Sequence, residues 1–418
     1  MTTVGIAGLT HLGIVTAAVL ASKGFQVIAW DPDLTRSERL ASGNPIVSEP
    51  GLEDLIREYQ TCLKFTERRS DLSQADLVYI ASDVPTDDRG ESALQGIQTL
   101  IDTVAGALGP NAILTILCQV PPGFTRRQRQ PTDRLYYQVE TLVFGRAVER
   151  ATTPERYIIG CANPNQPLAP ALQTVLAAHD CPILPMRYES AELAKISINC
   201  FLVAQVSSTN TLAEICEKTG ADWSEIAPAL RLDRRIGTHA YLTPGLGIGG
   251  GNLERDLATV SGLSRANSTE SGVVDAWRAN SRWRKDWLFR CLQEALLDHL
   301  NDPLIAVLGL AYKENTDSIK NSPSIALLEQ LEGRRVHAHD PAVAADKVPR
   351  WVEVMESTAR ACEGADALVI ATPWPEYQDI DPTWLASIMK GRLLIDPFAM
   401  LAKGNPESLG FIWRRLGA

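Results

Sequence analysis

Residues 3–31 read TVGIAGLTHLGIVTAAVLASKGFQVIAWD, and the reading of this stretch decides the fold. TVGIAGL is a short apolar run with the character of a buried strand. A tight turn follows, and GIVTAAVLASKG has the pattern of a helix that ends at Gly24. FQVIAWD then returns to strand character. Strand, glycine turn, helix and strand in that order make a βαβ unit. Gly8-Leu9-Thr10-His11-Leu12-Gly13 occupies its first turn, where a dinucleotide fingerprint belongs. The N–H groups at the start of the helix would hold a pyrophosphate. The second strand ends on Asp31, at the spacing where an acid accepts from a ribose hydroxyl. A carboxylate there disfavours a 2′-phosphate, so the expected cofactor is NAD and not NADP. The middle glycine of the fingerprint is Thr10, whose hydroxyl either displaces the cofactor slightly or hydrogen-bonds a phosphate. The plainer alternative is an unliganded βαβ unit with a tight turn.

Working outward, ADLVYIAS (75–82), NAILTILCQV (111–120), RYIIGC (156–161) and CPILPM (181–186) repeat the strand character. Alternation of this kind predicts a parallel sheet with helices on both faces. From Glu189 to about Leu300 the pattern is helical almost throughout, and 271–300 is long enough to form a spine between domains. After Asn301-Asp302-Pro303 the βα alternation resumes with LIAVLGLAY, RRVHAHD, ALVIATP and RLLIDPF. The predicted class is therefore α/β. Two Rossmann-like, doubly wound parallel-sheet domains, 1–186 and 301–418, are joined by an all-helical central domain, 187–300, with a long connecting helix.

A chain of 418 residues suits two or three such domains. The net charge of −10, without long basic runs, argues against nucleic acid or an anionic membrane surface as partner. No apolar stretch approaches the roughly 18–20 residues of a membrane span. The start, MTTVGIAGLTHLG, has no leader pattern. Cys62, Cys118, Cys161, Cys181, Cys200, Cys216, Cys291 and Cys362 are scattered, which reads as reduced thiols in a cytoplasmic protein. The histidines have no ligand spacing, and no metal site is expected.

Three further places suggest chemistry. In 244–256, PGLGIGGGNLERD, five of the seven residues from Gly245 to Gly251 are glycine, a density that calls for a close backbone approach. Lys195 and Asn199 lie four apart on one helix face among Ala, Ile and Phe. Such a pair can stabilise a developing alkoxide or move a proton, although a solvated helix surface carries similar pairs. Glu140 follows a run of β-branched and aromatic residues, so it belongs near a strand end, where α/β active sites collect. Asp83 and Asp87 also follow a strand, with nothing in the sequence to separate a functional from a loop role.

Taken in order, several segments resemble the UDP-glucose/GDP-mannose 6-dehydrogenase family. They are PIVSEPGLEDLI (45–56), VPPGFT (120–125), AELAKISINCFLVAQVSSTNTLAEICEKTGAD (191–222) and RIG (235–237), then PGLGIGGGNLERD, VLGLAYKENTDSIKNSP (307–323) and HDP (339–341). The resemblance implies an NAD-dependent oxidoreductase of sugar or polysaccharide biosynthesis, with NAD on the first domain and a nucleotide sugar on the last. A homodimer would form through the central helical domain. Gly8, Thr10, His11, Leu12, Gly13, Asp31, Pro85 and Gln119 would border the cofactor. Lys195 and Asn199 would hold the oxygen that becomes anionic, Asp256 would orient lysine or water, and Glu140 would act as general acid/base. Tyr241, Gly245, Gly249 and Gly250 would wrap the substrate, with Arg235 reaching it across the dimer interface and Lys313 contacting its nucleotide.

Where this sequence departs from the family, the changes fall together. The family's thiohemiacetal-forming cysteine aligns with Asn252, a carboxamide with no accessible nucleophilic anion. Gln119 stands for a threonine that helps to place water, and Phe144 for a second acid. Phe398 and Lys320 stand for arginines near the substrate. These are the groups for thioester formation and hydrolysis, and those for the first oxidation are kept. The expected reaction is one hydride removed at C6, stopping at an aldehyde or, if C6 bears further carbons, a ketone. The alternatives are a slow four-electron oxidation to the uronate, an epimerase using NAD transiently, and a nucleotide-sugar-binding pseudoenzyme.

Overall fold

The computed structural model describes residues 2–43, 47, 49–85 and 92–418. The chain divides into two compact units, Met1–Ile198 and Asn199–Ala418.

The first unit is built on eight strands: β1 (Thr3–Ala7), β2 (Gln26–Trp30), β3 (Leu63–Thr66), β4 (Leu77–Ile80), β5 (Ile113–Ile116), β6 (Leu135–Gln138), β7 (Tyr157–Cys161) and β8 (Ile183–Arg187). Their order in the sheet is β3-β2-β1-β4-β5-β6-β7-β8. β4 and β5 are buried along their whole length, as strands covered on both faces must be. One core includes Ile14, Val15 and Leu20 of the helix His11–Ser22; the other includes Ile97, Ile101 and Val104. The topology reverses between β1 and β4, and a ligand crevice belongs at such a switch point.

The sequence pattern predicts a parallel sheet, but β6 and β7 pair antiparallel. The link between them carries only the short helix Ala147–Thr152. A link of that length need not cross the sheet, so β7 starts from the end where β6 finishes. That leaves Glu140 in the loop at the C-terminal end of β6.

β8 runs straight into a helix of 32 residues, Tyr188–Thr219. Its first turns pack Tyr188, Ala191, Ala194 and Ile198 on the first unit's core, and the division of the chain falls within it. The stretch 271–300, expected as a single spine helix, is instead Gly272–Lys285, Trp287–Leu292 and a π-helical turn Gln293–Leu297. The break comes where Trp287, Leu288, Leu292 and Leu296 enter the core of the second unit. Asp286, at the break, accepts from Gln330 Nε2 at 3.1 Å.

The second unit has a wholly parallel sheet of six strands. They are β9 (Leu304–Leu308), β10 (Arg335–His339), β11 (Glu353–Val354), β12 (Ala367–Ile370), β13 (Leu393–Ile395) and β14 (Ile412–Arg414), in the order β11-β10-β9-β12-β13-β14. Its helical part buries Arg284 completely, and two carboxylates compensate the charge: Glu217 at 3.1 Å and Glu214 at 3.3 Å. Among the described residues, no helix is long and apolar enough to cross a membrane.

Candidate active site

In the first unit, Gly8 has φ +99°, in the left-handed region. A Cβ on Gly13 would lie 1.8 Å from the Gly8 carbonyl oxygen. Both glycines are therefore obligatory, and they bring the start of the helix His11–Ser22 against the end of β1. Asp31 is buried; its carboxylate accepts from Leu9 N–H at 2.5 Å and Asp33 N–H at 2.8 Å, and Arg36 lies 3.5 Å away. It braces its own loop and still has acceptor capacity for a ribose hydroxyl. Thr10 makes no helix cap; its Oγ1 accepts the Asp83 N–H at 2.8 Å. Asp83 Oδ2 faces the Leu12 N–H at 3.5 Å. The glycine geometry and the helix N-terminus suit a dinucleotide.

The rest of the fingerprint is tied to the loop beyond β6. His11 Nε2 is 2.9 Å from Glu49 Oε2, and its ring stacks on Phe144 at 4.1 Å. Glu49 also accepts from Gly145 N–H at 3.0 Å and Ala147 N–H at 2.7 Å. Pro85 is exposed, with its carbonyl accepting from Ala93 N–H at 2.9 Å, and Gln119 is half-buried beyond β5. Asp87 lies outside the described residues, as do Pro45, Ile46 and Ser48 of the 45–56 segment.

Glu140 stands two residues past β6. One of its oxygens accepts from Leu142 N–H, and Oε2 is 3.8 Å from Lys195 Nζ. The two side chains are 19% and 11% exposed, so the pair is mostly withdrawn from water. One turn before Lys195, the fully buried Glu192 accepts from Thr125 N–H at 2.7 Å and from Gly123 N–H. It thereby anchors the 120–125 turn to the long helix. Burial raises the Glu192 carboxyl above the ordinary range, against the pull of these donors.

In the second unit, the glycine run lies flat on its neighbours. A Cβ on Gly249 or Gly250 would come within 3.1 or 3.0 Å of the Tyr312 ring, and one on Gly247 within 2.6 Å of the Ser281 carbonyl. Gly245 N–H donates to Asn210 Oδ1 at 2.8 Å, and Gly250 N–H to the Lys320 carbonyl at 3.0 Å. Asn321 Nδ2 donates to Gly250 O at 2.6 Å and to Glu254 at 2.5 Å. The same ring carries Lys313, whose Nζ is 5.8 Å from its centroid. Asn252 is the exposed first residue of the helix Asn252–Asn267. One turn on, buried Asp256 accepts from Asn199 Nδ2, and Arg255 Nε lies 3.6 Å away. Asp256 thus fixes the Asn199 amide.

Arg235 is 89% exposed and bonded to its near neighbour Asp233 at 2.6 Å. Tyr241 is exposed; its N–H donates to Gln205 Oε1 at 2.9 Å and its carbonyl accepts from Thr209 at 3.0 Å.

Cys200 directly follows Asn199 in the chain. Burial, and then the Asp256 charge, push it up to about 11. In the first unit, burial pushes Cys118 up to about 12.

The second unit repeats the loop geometry of the first with a different outcome. Gly309 has φ +89°, and Asp340 accepts from Leu310 N–H at 2.6 Å and Ala311 N–H at 3.0 Å, as Asp31 does for its loop. Here, however, Trp374 Nε1 donates to Asp340 at 3.1 Å and Thr372 Oγ1 to the Ala311 carbonyl at 2.6 Å. Its own side chains take up the donors and acceptors of this loop.

Sequence pattern alone assigns no role to Glu49, Glu192 or Asp83. Glu49 and Glu192 lie in the EPG and AELAK segments, whose resemblance to the family is the signal the sequence offers for them.

Three descriptions of one family match successive parts of the chain. The NAD binding domain of the UDP-glucose/GDP-mannose dehydrogenase family matches residues 2–176, its central domain 189–282 and its UDP binding domain 306–403. The UDP-glucose 6-dehydrogenase of Pseudomonas aeruginosa is 30% identical over 99% of this chain and 96% of its own length. The putative UDP-glucose 6-dehydrogenase YtcA of Bacillus subtilis is 30% identical over 99% of each. Among solved structures, a UDP-glucose dehydrogenase from Pyrobaculum islandicum superposes with TM-score 0.85 at 28% identity, over 95% of this chain and 94% of that one. A UDP-D-ManNAc dehydrogenase from Pyrococcus horikoshii gives 0.85 at 25% identity, over 100% and 99%.

Proposed function

The chain belongs to the UDP-glucose/GDP-mannose dehydrogenase family, and from that premise we propose that it removes one hydride from C6 of a nucleotide-linked sugar and stops at the carbonyl. NAD, its cofactor, accepts the hydride when bound. The loop Gly8–Gly13 and Asp31 would hold that cofactor, and the Gly245–Gly251 loop with Lys313 and Tyr241 would hold the nucleotide sugar. Lys195 and Asn199, four residues apart on one helix, would hold the C6 oxygen as charge develops on it. Glu140 would take the hydroxyl proton while the C6–H bond electrons leave with the hydride. A C=O bond forms and the electrons balance. Asp256 keeps the Asn199 amide turned.

The observation that carries the reading is Asn252, exposed at the head of its helix directly after the glycine loop, the position that the resemblance drawn from the sequence sets against the family's cysteine. A carboxamide cannot form a thiohemiacetal, so the aldehyde has no covalent route to the acid. Burial pushes the Cys200 thiol up to about 11, which disfavours it as a substitute nucleophile at neutral pH. A ketone product would make any nucleophile redundant.

Exposed Phe201, Leu212 and Ile215 lie on one face of the helix Tyr188–Thr219, which supports a homodimer formed through the helical region. Eight free cysteines support a reducing, cytoplasmic setting. The test is product identity. Incubation with NAD and a panel of UDP-, GDP- and dTDP-sugars, followed by hydroxylamine trapping and mass analysis, should give the oxime of a carbonyl compound two hydrogens short of the sugar. A uronate would mean that oxidation continues without a thiol.

A further inference from the structure

We propose that Asp83 is an internal competitor of the dinucleotide: its carboxylate holds the anion position at the start of the helix His11–Ser22, and the pyrophosphate binds by displacing it. The inference rests on NAD lying on this loop, as proposed above.

The first N–H groups of a helix have no intrahelical acceptor, and together with the helix dipole they attract an anion. In a dinucleotide fold that anion is the pyrophosphate. Here the Leu12 N–H, second in the helix, already faces Asp83 Oδ2 at 3.5 Å. Asp83 reaches it from the segment after β4, the strand that pairs with β1 at the switch point.

This placement is fixed by a second residue. The Asp83 N–H donates to Thr10 Oγ1 at 2.8 Å, which pins the backbone that presents the carboxylate. Thr10 stands where the fingerprint normally has its middle glycine, and a glycine would offer no such acceptor. The two residues therefore act as a unit. Thr10 holds the segment and Asp83 supplies the charge.

Pyrophosphate and carboxylate cannot share one N–H, and like charges at that distance repel. Asp83 is exposed, so it can turn out to water at modest cost. The consequence is a graded weakening of cofactor affinity, specific to ligands that carry the pyrophosphate.

The test is calorimetric titration of the full chain and of Asp83→Asn with NAD and with ADP-ribose, and of adenosine by competition against NAD. Asp83→Asn should bind NAD and ADP-ribose about tenfold tighter, with adenosine unchanged. Unchanged or weaker dinucleotide binding would overturn the proposal, as would an equal gain for adenosine. Asp83→Ser serves in its place should thermal melting show that the asparagine variant does not fold. Gly13→Ala, whose Cβ would meet the Gly8 carbonyl, separates the premises. Its loss of NAD binding with the thermal melting transition intact supports the loop as the cofactor site, and normal binding would remove that premise whatever Asp83 does.

Discussion

Lys195 Nζ stands 3.8 Å from Glu140 Oε2, and both side chains are mostly buried. The distance suits an ion pair without a tight hydrogen bond, so the ammonium keeps donors for a substrate oxygen. Lys195→Ala should lower kcat by about a thousandfold while nucleotide-sugar binding, measured by calorimetry, changes little. Intact turnover would remove Lys195 from the mechanism.

Asn199 and Asp256 form the second buried pair. Asp256→Ala leaves the amide without its acceptor inside the fold. The cost should be about 1–3 kcal/mol of stability in a denaturant titration, with a loss of kcat larger than the change in KM. An unchanged stability and kcat would mean that the pair is incidental.

At Gly250, φ is +73° and a Cβ would lie 3.0 Å from the Tyr312 ring. Gly250→Ala should raise the KM for the nucleotide sugar and leave NAD affinity alone. The double variant with Tyr312→Ala should relieve the contact but not the backbone strain, which costs about 1–3 kcal/mol. Full rescue by the ring deletion would show that sterics alone dictate the glycine.

Cys200 gives a pH prediction. With its thiol pushed up to about 11, only about one molecule in a thousand carries the thiolate at pH 8. Alkylation by iodoacetamide, followed by peptide mass analysis, should be slow at neutral pH and gain about tenfold per pH unit toward 11. Fast labelling near pH 7 would reveal an activated thiol and reopen the covalent route.

Arg284 is buried between Glu214 and Glu217, and Glu217 also accepts from Trp287 Nε1 at 2.9 Å. Arg284→Ala should destabilise the protein by about 3–5 kcal/mol, because two carboxylates lose their compensating charge. Chemical denaturation monitored by tryptophan fluorescence measures it.

What the sequence made legible was local. Gly8, Gly13 and Asp31 belong to one βαβ unit, and strand period and turn chemistry place them without tertiary information. The same holds for Lys195 and Asn199, which share a helix. Contacts between distant residues were not legible. Asp83 meets Thr10 across 73 positions, and Glu192 meets Thr125 across 67. Nothing in either residue's neighbourhood marks the partner. The antiparallel β7 escaped because hydrophobic period reports burial and not direction. The break at Asp286 escaped because the helical pattern continues through it, and the packing of Trp287 on the second unit's core decides where the axis turns.

The central claim is that oxidation ends at the carbonyl, and counting hydrides tests it most directly. With a sugar from the panel that turns over, NADH formed is measured by absorbance and sugar consumed by mass, each to completion. One NADH per sugar, with a product two mass units lighter, is the predicted result. Two NADH per sugar and a uronate would contradict it, and would show that this chain completes the second oxidation without a cysteine beside the glycine loop.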